Sequence, residues 1–234
     1  MPKKRLYDGD DAPSANKKAA TSSCDNNTAA TSSCDVVDTL YTDVDGYAIA
    51  RTAKETARKN GVFQEGIQYG EVKPSSFEKA LAWLEPRPGE SFIDLGSGTG
   101  KAVLTAAAAY PFATAVGVEI VKALHDAAEA ALARGRGGGK AGGGGLKAAE
   151  VRFVCADALK FPWTNGSYAC IFVSLTCFTD EMVATVKRGV ESLPKGTRML
   201  VTSRPLESAS LKLIRRETLP YAKGTLTFIA YEKV

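Results

Sequence analysis

The sequence has little histidine, few cysteines and no long hydrophobic segment, and each shortage excludes a class of protein. His125 is the only histidine, and the five cysteines form no Cys-x-x-Cys pair, so the spacing typical of metal sites is absent. The odd cysteine count argues against a secreted disulfide framework. The first residues lack the apolar core of a signal peptide, and the longest apolar stretch, residues 102–124, is interrupted by Pro111, Gly117 and Glu119. These absences predict an intracellular protein that does not span a membrane and holds no metal.

The overall composition is ordinary for a soluble globular protein. Of the 234 residues, 44% are apolar, 24% are charged and 8% are aromatic. This length fits one α/β domain with a tail better than two full domains. The 30 Lys and Arg residues against 26 Asp and Glu give a net charge of +4, which permits an acidic partner without requiring one.

The first 35 residues differ from the rest of the chain. Residues 1–35 contain no Val, Ile, Phe or Trp, so they cannot bury enough apolar surface to fold, and a disordered tail is predicted. Basic clusters at residues 3–5 (Lys-Lys-Arg) and 17–18 (Lys-Lys) suit a nuclear import signal or contacts with DNA phosphates. A solvated tail without either role is an equal alternative.

Helical and strand patterns follow the tail in a regular order. Residues 47–59 and 74–84 show helical spacing, and Ser75 and Glu78 have the spacing of a capping box at the start of the second helix. Strands are predicted at residues 91–95, 113–118, 151–155, 168–173 and 198–201, with an antiparallel pair at 211–219 and 226–231. Alternation of strands with helices predicts an α/β fold with a mostly parallel sheet. Ligands bind such sheets at the carboxyl ends of the strands.

The strongest motif, Asp-Leu-Gly-Ser-Gly-Thr-Gly at residues 94–100, follows the first predicted strand. Its glycines let the backbone turn sharply and approach a ligand closely. A dinucleotide fingerprint would have its third glycine where this chain has Lys101, and a P-loop would have Ser or Thr at position 102, where this chain has alanine. Asp94 would repel a pyrophosphate, but it suits a cofactor with a cationic amine and a sulfonium. The motif therefore favours S-adenosylmethionine over a nucleotide, while a tight turn for packing alone is the alternative.

Two more acidic residues follow the next two predicted strands. Glu119 ends the second strand, where a carboxylate can accept hydrogen bonds from ribose hydroxyls, and Asp157 follows the third, where it can accept from an adenine amino group. Each acid alone is more often a solvated loop residue. Together with Asp94, they place acids at the tips of three successive strands, which favours the cofactor interpretation.

Three segments resemble the catalytic domain of the disruptor-of-telomeric-silencing methyltransferases. They are Tyr-Gly-Glu-Val-Lys-Pro-Ser-Ser-Phe at 69–77, Phe-Ile-Asp-Leu-Gly-Ser-Gly-Thr-Gly-Lys at 92–101 and Val-Gly-Val-Glu at 116–119. The glycine motif alone marks only the class I methyltransferases, and the Tyr-Gly-Glu segment makes the resemblance more specific. Enzymes of this family lack a SET domain and methylate a lysine on the nucleosome face of a core histone.

The resemblance implies a fold, a cofactor and a substrate. It implies a Rossmann-like class I methyltransferase with a seven-stranded, mostly parallel sheet and a C-terminal antiparallel pair, and a nuclear, S-adenosyl-L-methionine-dependent histone-lysine N-methyltransferase. The domain organisation predicted with it is a tail at 1–35, N-terminal helices and a cofactor lid at 36–90, and the cofactor-binding core at 91–234. The predicted cofactor contacts are Tyr69, Gly70, Glu71, Ser76, Asp94, Gly96, Ser97, Gly98, Gly100, Lys101, Glu119, Asp157 and Ala158.

The chain departs from this family after the fourth predicted strand. The family usually carries Asn-Asn there, followed by aromatic residues, whereas this chain has Ser174 at the first asparagine position and Phe178 four residues later. A hydroxyl cannot replace both the donor and the acceptor of an amide. Tyr69, Ser174 and Phe178 are the predicted wall of the methyl-transfer channel, with plain core packing an equal alternative for Phe178.

Because of this departure, two other functions stay open beside histone methylation. The first is a methyltransferase for a non-histone protein, an RNA or a small molecule. The second is a chromatin module that binds S-adenosylmethionine and has lost its activity.

Overall fold

The structure is a computed structural model that describes residues 31–61, 69–137, 145–165 and 167–234. Most of the predicted tail and the centre of the glycine-rich segment around residue 140 lie outside these ranges. The described strands are β1 (Ser91–Leu95), β2 (Thr114–Glu119), β3 (Glu150–Cys155), β4 (Cys170–Ser174), β5 (Arg198–Thr202), β6 (Leu211–Pro220) and β7 (Thr225–Lys233).

These seven strands form one sheet in the order β3-β2-β1-β4-β5-β7-β6. Strands β1 to β5 are parallel, and β7 runs antiparallel between β5 and β6. The predicted α/β fold with a C-terminal antiparallel pair is therefore confirmed. The carboxyl ends of β1 to β4 lie at one edge, which brings the loops after these strands together.

Six helices cover the two faces of the sheet. They are α1 (Ser33–Leu40), α2 (Gly46–Lys59), α3 (Pro74–Leu81), α4 (Lys101–Ala109), α5 (Lys122–Gly137) and α6 (Asp180–Glu191). Successive strand residues point to opposite faces, so Phe92 packs with the core on the α3 and α4 side and Ile93 with the core on the α6 side. None of the helices in the described ranges is long and apolar enough to cross a membrane.

Two helix starts differ from the sequence expectation. Helix α1 begins at Ser33, three residues inside the predicted tail, because Ser32 and Asp35 form a capping box. The predicted capping box of α3 is wrong, since Pro74 occupies the first turn and Lys73 is the N-cap without a side-chain hydrogen bond. Glu78 instead accepts hydrogen bonds from the side chains of two α1 residues, so it fixes α1 on α3.

Gly100 at the start of α4 is a position where we expect a substitution to destabilise the fold. Its φ of 83° is left-handed, and an added Cβ would lie 2.6 Å from Cε1 of Phe153 and 2.9 Å from Cβ of Ala128. Gly89 has a similar φ of 81° but open space around its Cβ position. Gly100→Ala should therefore lower the free energy of unfolding by about 1–3 kcal/mol more than Gly89→Ala. Urea denaturation of both variants measures this difference, and equal losses would show that the close packing at Gly100 is unimportant.

Candidate active site

A cavity of about 600 Å³ opens at the carboxyl ends of β1 to β4. Its volume lies in the range of small-molecule sites. The glycine-rich turn after β1 forms its floor, the segment at residues 69–72 and the β6–β7 turn contribute to its walls, and the loop after β4 closes one end. The sheet topology thus places the predicted motifs around one space.

Asp94 is the most strongly perturbed carboxyl in this cavity. It lies in β1 with a relative exposure of 2%, and its Oδ1 is buried without a hydrogen-bond partner among the described residues. Burial, and then the negative charge of Glu119, hold its pKa well above the usual range. A buried acceptor of this kind is costly unless a ligand donates to it, and a cationic donor would restore the charged form.

The glycine turn leaves room for a ligand beside Asp94. The amides of Gly96 and Ser97 donate to the carbonyl of Val118 at 2.9 and 3.0 Å, which fixes the turn on the end of β2. An added Cβ at Gly96 would meet nothing within 4 Å, so the space over this residue is open. The hydroxyl of Ser97 is also buried without a partner in the described part of the chain. The glycine turn therefore leaves open space over Gly96 and an unused hydroxyl at Ser97, which a ligand could contact.

Glu119 holds the glycine turn in place and also lines the cavity. Its Oε2 accepts from the amide of Gly98 and its Oε1 from the amide of Val121, each at 2.8 Å. The side chain is buried, which raises its pKa despite these hydrogen bonds. Each carboxylate oxygen can accept more than one hydrogen bond, so Glu119 can hold the glycine turn and also bind two hydroxyls in the cavity.

Asp157 and Ala158 lie at the other side of the cavity, after β3. The Asp157 carboxylate accepts from the amide of Leu159 at 3.0 Å and lies 3.3 Å from Lys160 Nζ. Its side chain is 32% exposed, so it stands at the rim of the cavity. Together with Asp94 and Glu119, it forms a row of three carboxylates along one edge of the sheet.

The segment at residues 69–71 is fastened to the glycine turn. The hydroxyl of Tyr69 donates to Oε1 of Glu71 at 2.7 Å and lies 2.9 Å from Oγ1 of Thr99. The other oxygen of Glu71 accepts from Nζ of Lys101 at 2.7 Å, and both of these side chains are largely buried. Burial, and then the Glu71 charge, raise the pKa of Tyr69, so its hydroxyl stays protonated. This network holds the predicted lid against the N-terminus of α4.

Four hydroxyls line or support the cavity after β4. Oγ of Ser174 lies 2.9 Å from Oγ1 of the fully buried Thr202, and Oγ1 of Thr176 lies 2.8 Å from Oγ of Ser203. Thr176 and Thr202 are 3.4 Å apart, which joins the two pairs. Ser203 has a φ of 64°, a left-handed conformation that is unusual for serine. The loop after β4 therefore carries a cluster of neutral hydroxyls.

Aromatic rings surround the same end of the cavity. Phe178 and Tyr221 line it, and the rings of Tyr47 and Tyr69 meet edge to face at 5.3 Å. Nζ of Lys223 lies 3.9 Å from the centre of the Tyr47 ring. The turn between β6 and β7 therefore contacts α2 and completes the wall.

The structure brings together most of the residues predicted from the sequence. Ser76 and Gly100 are the exceptions, since neither lines the cavity. Ser76 is buried inside α3, and Gly100 packs against Phe153 and Ala128 behind the turn. The predicted residues that do line it are Tyr69, Gly70, Glu71, Asp94, Gly96, Ser97, Gly98, Lys101, Glu119, Asp157, Ala158, Ser174 and Phe178.

Sequence reasoning missed residues that come from distant parts of the chain. Tyr221 and Lys223 reach the cavity only because β7 inserts between β5 and β6 and brings their turn to the carboxyl edge. Tyr47 arrives on the first turn of α2. Ile120 and Val121 directly follow the predicted strand end at Glu119, and this position is the signal that could have found them. The further lining residues are Val72, Thr99, Ala102, Ile120, Val121, Leu124, Leu159, Phe172, Thr176, Cys177 and Met182.

The chain matches one known protein family. Residues 48–222, three quarters of the chain, match the family described as "Histone methylation protein DOT1". The chain has no match among curated proteins. Within the described ranges, no group of His, Cys, Asp and Glu side chains has the arrangement of a metal site.

Solved structures of other proteins show the same fold. TrmN from Thermus thermophilus has a TM-score of 0.54 and 22% identity over 70% of this chain, which spans 50% of that protein. Magnesium protoporphyrin IX methyltransferase (ChlM) from Synechocystis PCC 6803, solved with bound SAM, has a TM-score of 0.51 and 14% identity over 88% of this chain and 99% of that one. At these identities the likeness shows the Rossmann-like methyltransferase fold.

Proposed function

The chain belongs to the DOT1 family of histone methylation proteins and has a methyltransferase fold, and we propose on this premise that it is an S-adenosylmethionine-dependent N-methyltransferase for a lysine of a core histone. The single observation that carries the cofactor assignment is the buried Asp94 carboxyl, whose Oδ1 lacks a partner among the described residues. The histone substrate is supported by the family.

The residues in the cavity fit S-adenosylmethionine. Asp94 offers an acceptor for its amino group, Glu119 offers acceptors for the ribose hydroxyls, and Asp157 offers one for the adenine amino group. The open space over Gly96 leaves room for the chain of the amino acid part. When bound, the cofactor supplies a methyl group on a positively charged sulfur. A neutral amine attacks the methyl carbon in line, and the sulfur leaves with the electron pair of the broken bond.

The hydroxyl cluster and the aromatic rings act on the acceptor side. A lysine nitrogen must be neutral to attack, and removing it from water against Tyr69, Phe178 and Tyr221 lowers its pKa. Ser174 then accepts a hydrogen bond from the N–H of the amine, so that the nitrogen lone pair faces the methyl group. The protein supplies alignment and exclusion of water here, and no side-chain nucleophile takes part.

A nuclear location and a role in chromatin regulation belong to the same proposal, as does a contact of the basic N-terminal residues with DNA. The basic cluster at residues 3–5 is the sequence feature that supports them. Imaging of the full chain and of a chain without residues 1–20 tests the location. A deletion that leaves the nuclear signal unchanged would remove the assigned role of this cluster.

Methyl transfer from tritiated cofactor tests the function directly. Equal amounts of nucleosomes, free histones and bulk RNA are offered to the full chain, and we expect label on a histone lysine in nucleosomes. Label on RNA alone would assign a different substrate. Tight cofactor binding without any transfer would identify an inactive binding module.

Thr202→Val should impair transfer without weakening cofactor binding. Valine keeps the volume of the buried threonine but removes the hydroxyl that holds Ser174 at 2.9 Å. Loss of this hydrogen bond, about 1 kcal/mol, should lower kcat about fivefold to tenfold. Single-turnover methylation and calorimetric titration with cofactor give the two measurements.

Thr202→Ser is the matched control because it keeps the hydroxyl and loses only a methyl group. It should restore most of the rate. If both variants lose activity equally, or if cofactor affinity falls together with the rate, Thr202 acts through packing and does not position Ser174.

A further inference from the structure

The two edges of the sheet differ in how they are protected. At one edge, the side chain of Arg136 donates to the carbonyl of Val151 in β3, and this strand has six residues. At the other edge, β6 is ten residues long and pairs only with β7 in the part of the chain that the structure describes. Most of its residues are exposed. A long strand with one free side presents a row of backbone donors and acceptors to an incoming chain.

Exposed apolar side chains concentrate at this same edge. Of the four large hydrophobic residues that are exposed in the described ranges, Leu213 (54%) and Ile214 (40%) lie on β6. Val234 (46%) is beside its start, where its amide donates to the carbonyl of Ser210 at 3.0 Å. Exposed apolar groups that cluster in this way mark interaction surfaces more often than singly scattered ones do.

The charge of the edge selects its partner. Strand β6 carries the cations Lys212, Arg215 and Arg216 against the single acid Glu217. Glu217 pairs with Lys79 and with Arg215, whose guanidinium also lies 5.0 Å from the centre of the Trp83 ring. Lys212 and Arg216 have no ion pair among the described residues. An incoming acidic chain would therefore find two unpaired cations and exposed apolar side chains between them.

A second copy of the chain fits this edge poorly. Antiparallel pairing of two β6 strands would bring the three cations of each copy into one short ladder, and like charges opposite each other destabilise a sheet. We therefore propose that the free edge of β6 binds an extended acidic peptide segment by β-strand addition.

The direction of β6 connects this surface with the cavity. The strand ends at Pro220, and the next residue, Tyr221, lines the cavity wall. Given the proposed methyltransferase function, a chain bound along this edge is held beside the cavity mouth. Binding of the segment needs neither cofactor nor methyl transfer, so it is testable separately.

Fluorescence anisotropy of a labelled peptide with four Glu-Val repeats tests the proposal on the full chain. We expect it to bind about tenfold or more tightly than a Lys-Val peptide of the same length, and to lose about tenfold in affinity with Lys212→Glu and Arg216→Glu together. The paired change Lys54→Glu and Arg58→Glu on exposed α2 is the control with the same change of charge and should leave binding within about twofold. Methylation of alternate peptide nitrogens should abolish binding, because the strand can no longer pair with the edge.

Several outcomes would overturn the proposal. They are equal binding of both peptides, equal losses in the two paired variants, and unchanged binding of the N-methylated peptide. A stable dimer in sedimentation experiments that excludes the peptide would assign the edge to a second copy. Duplex DNA that competes through the same two residues, while the peptide does not bind, would assign it to nucleic acid. Normal methyl transfer beside a failed peptide assay would reject this surface and retain the proposed function.

Discussion

Asp94→Asn should abolish useful cofactor binding and at the same time stabilise the free protein at alkaline pH. The variant loses the charged acceptor that faces the cavity, which we expect to weaken the binding of S-adenosylmethionine about 100-fold, or about 2.7 kcal/mol. The stability effect has the opposite sign because the wild-type carboxylate is buried beside Glu119. A variant that is more stable but binds cofactor more weakly indicates a residue that serves binding at the expense of stability.

The pH dependence follows from the direction of the pKa shift. Folding raises the pKa of Asp94 above its ordinary value of 3.8, so the native state binds this proton more tightly than the unfolded state. Its contribution to stability is therefore full at low pH and is lost as the pH rises from the unfolded to the folded pKa. The asparagine variant does not titrate, so it should melt at a higher temperature than the wild type at pH 8 and at nearly the same temperature at pH 3.5, below the ordinary pKa of the carboxyl.

Thermal melts at both pH values and calorimetric cofactor titrations give the measurements. Asp126→Asn on the exposed face of α5, where the carboxylate pairs only with Lys122, is the control and should change neither property. Unchanged cofactor affinity in Asp94→Asn, or a lower melting temperature at pH 8, would contradict the assigned role of Asp94.

Glu119→Ala should damage both binding and stability. Truncation leaves the amides of Gly98 and Val121 without their acceptor, and the hydrogen bond from Gly98 is buried while the one from Val121 is partly buried. We expect a loss of about 1–3 kcal/mol in the free energy of unfolding, together with an affinity for cofactor that falls about 100-fold. Relief of the repulsion with Asp94 offsets only part of this loss.

Urea denaturation and cofactor titration separate the two effects. Glu119→Gln keeps one acceptor oxygen but turns an amide NH₂ toward a backbone donor, so it should bind cofactor more tightly than the alanine variant and more weakly than the wild type. Glu129→Ala on the exposed side of α5 provides the control for loss of a surface carboxylate. A Glu119→Ala protein with wild-type stability would show that the two amides find other partners.

Sequence patterns predicted the sheet and the position of the carboxylates at its carboxyl edge, because both depend on local signals. Buried strands and the glycine turn have short-range signatures, and the end of a strand fixes where Asp94 and Glu119 lie. The cofactor contacts at Ser76 and Gly100 stay predictions: neither residue lines the cavity, because Ser76 is buried inside α3 and Gly100 packs behind the glycine turn. Tyr221 required the order of β5, β7 and β6, which depends on contacts between distant residues that no local pattern records.

Local capping was also predicted in one place and found in another. Ser75 and Glu78 have the right spacing, but Pro74 fixes the start of α3 and Glu78 is used by α1 instead. The contact of Glu78 with α1 therefore forms in place of the local capping box. The hydroxyl cluster at Ser174 escaped the sequence for a similar reason, because Thr202 and Ser203 join it from a neighbouring strand.

The amide of Ala222, in the turn after β6, donates to the carbonyl of Glu71 at 3.3 Å, and this couples ligand binding to the docking of the β6–β7 hairpin. Tyr221 and Lys223 of this turn line the cavity, so its wall is complete only in molecules whose hairpin is docked. A ligand that binds the cavity therefore stabilises the docked hairpin together with the rest of the sheet.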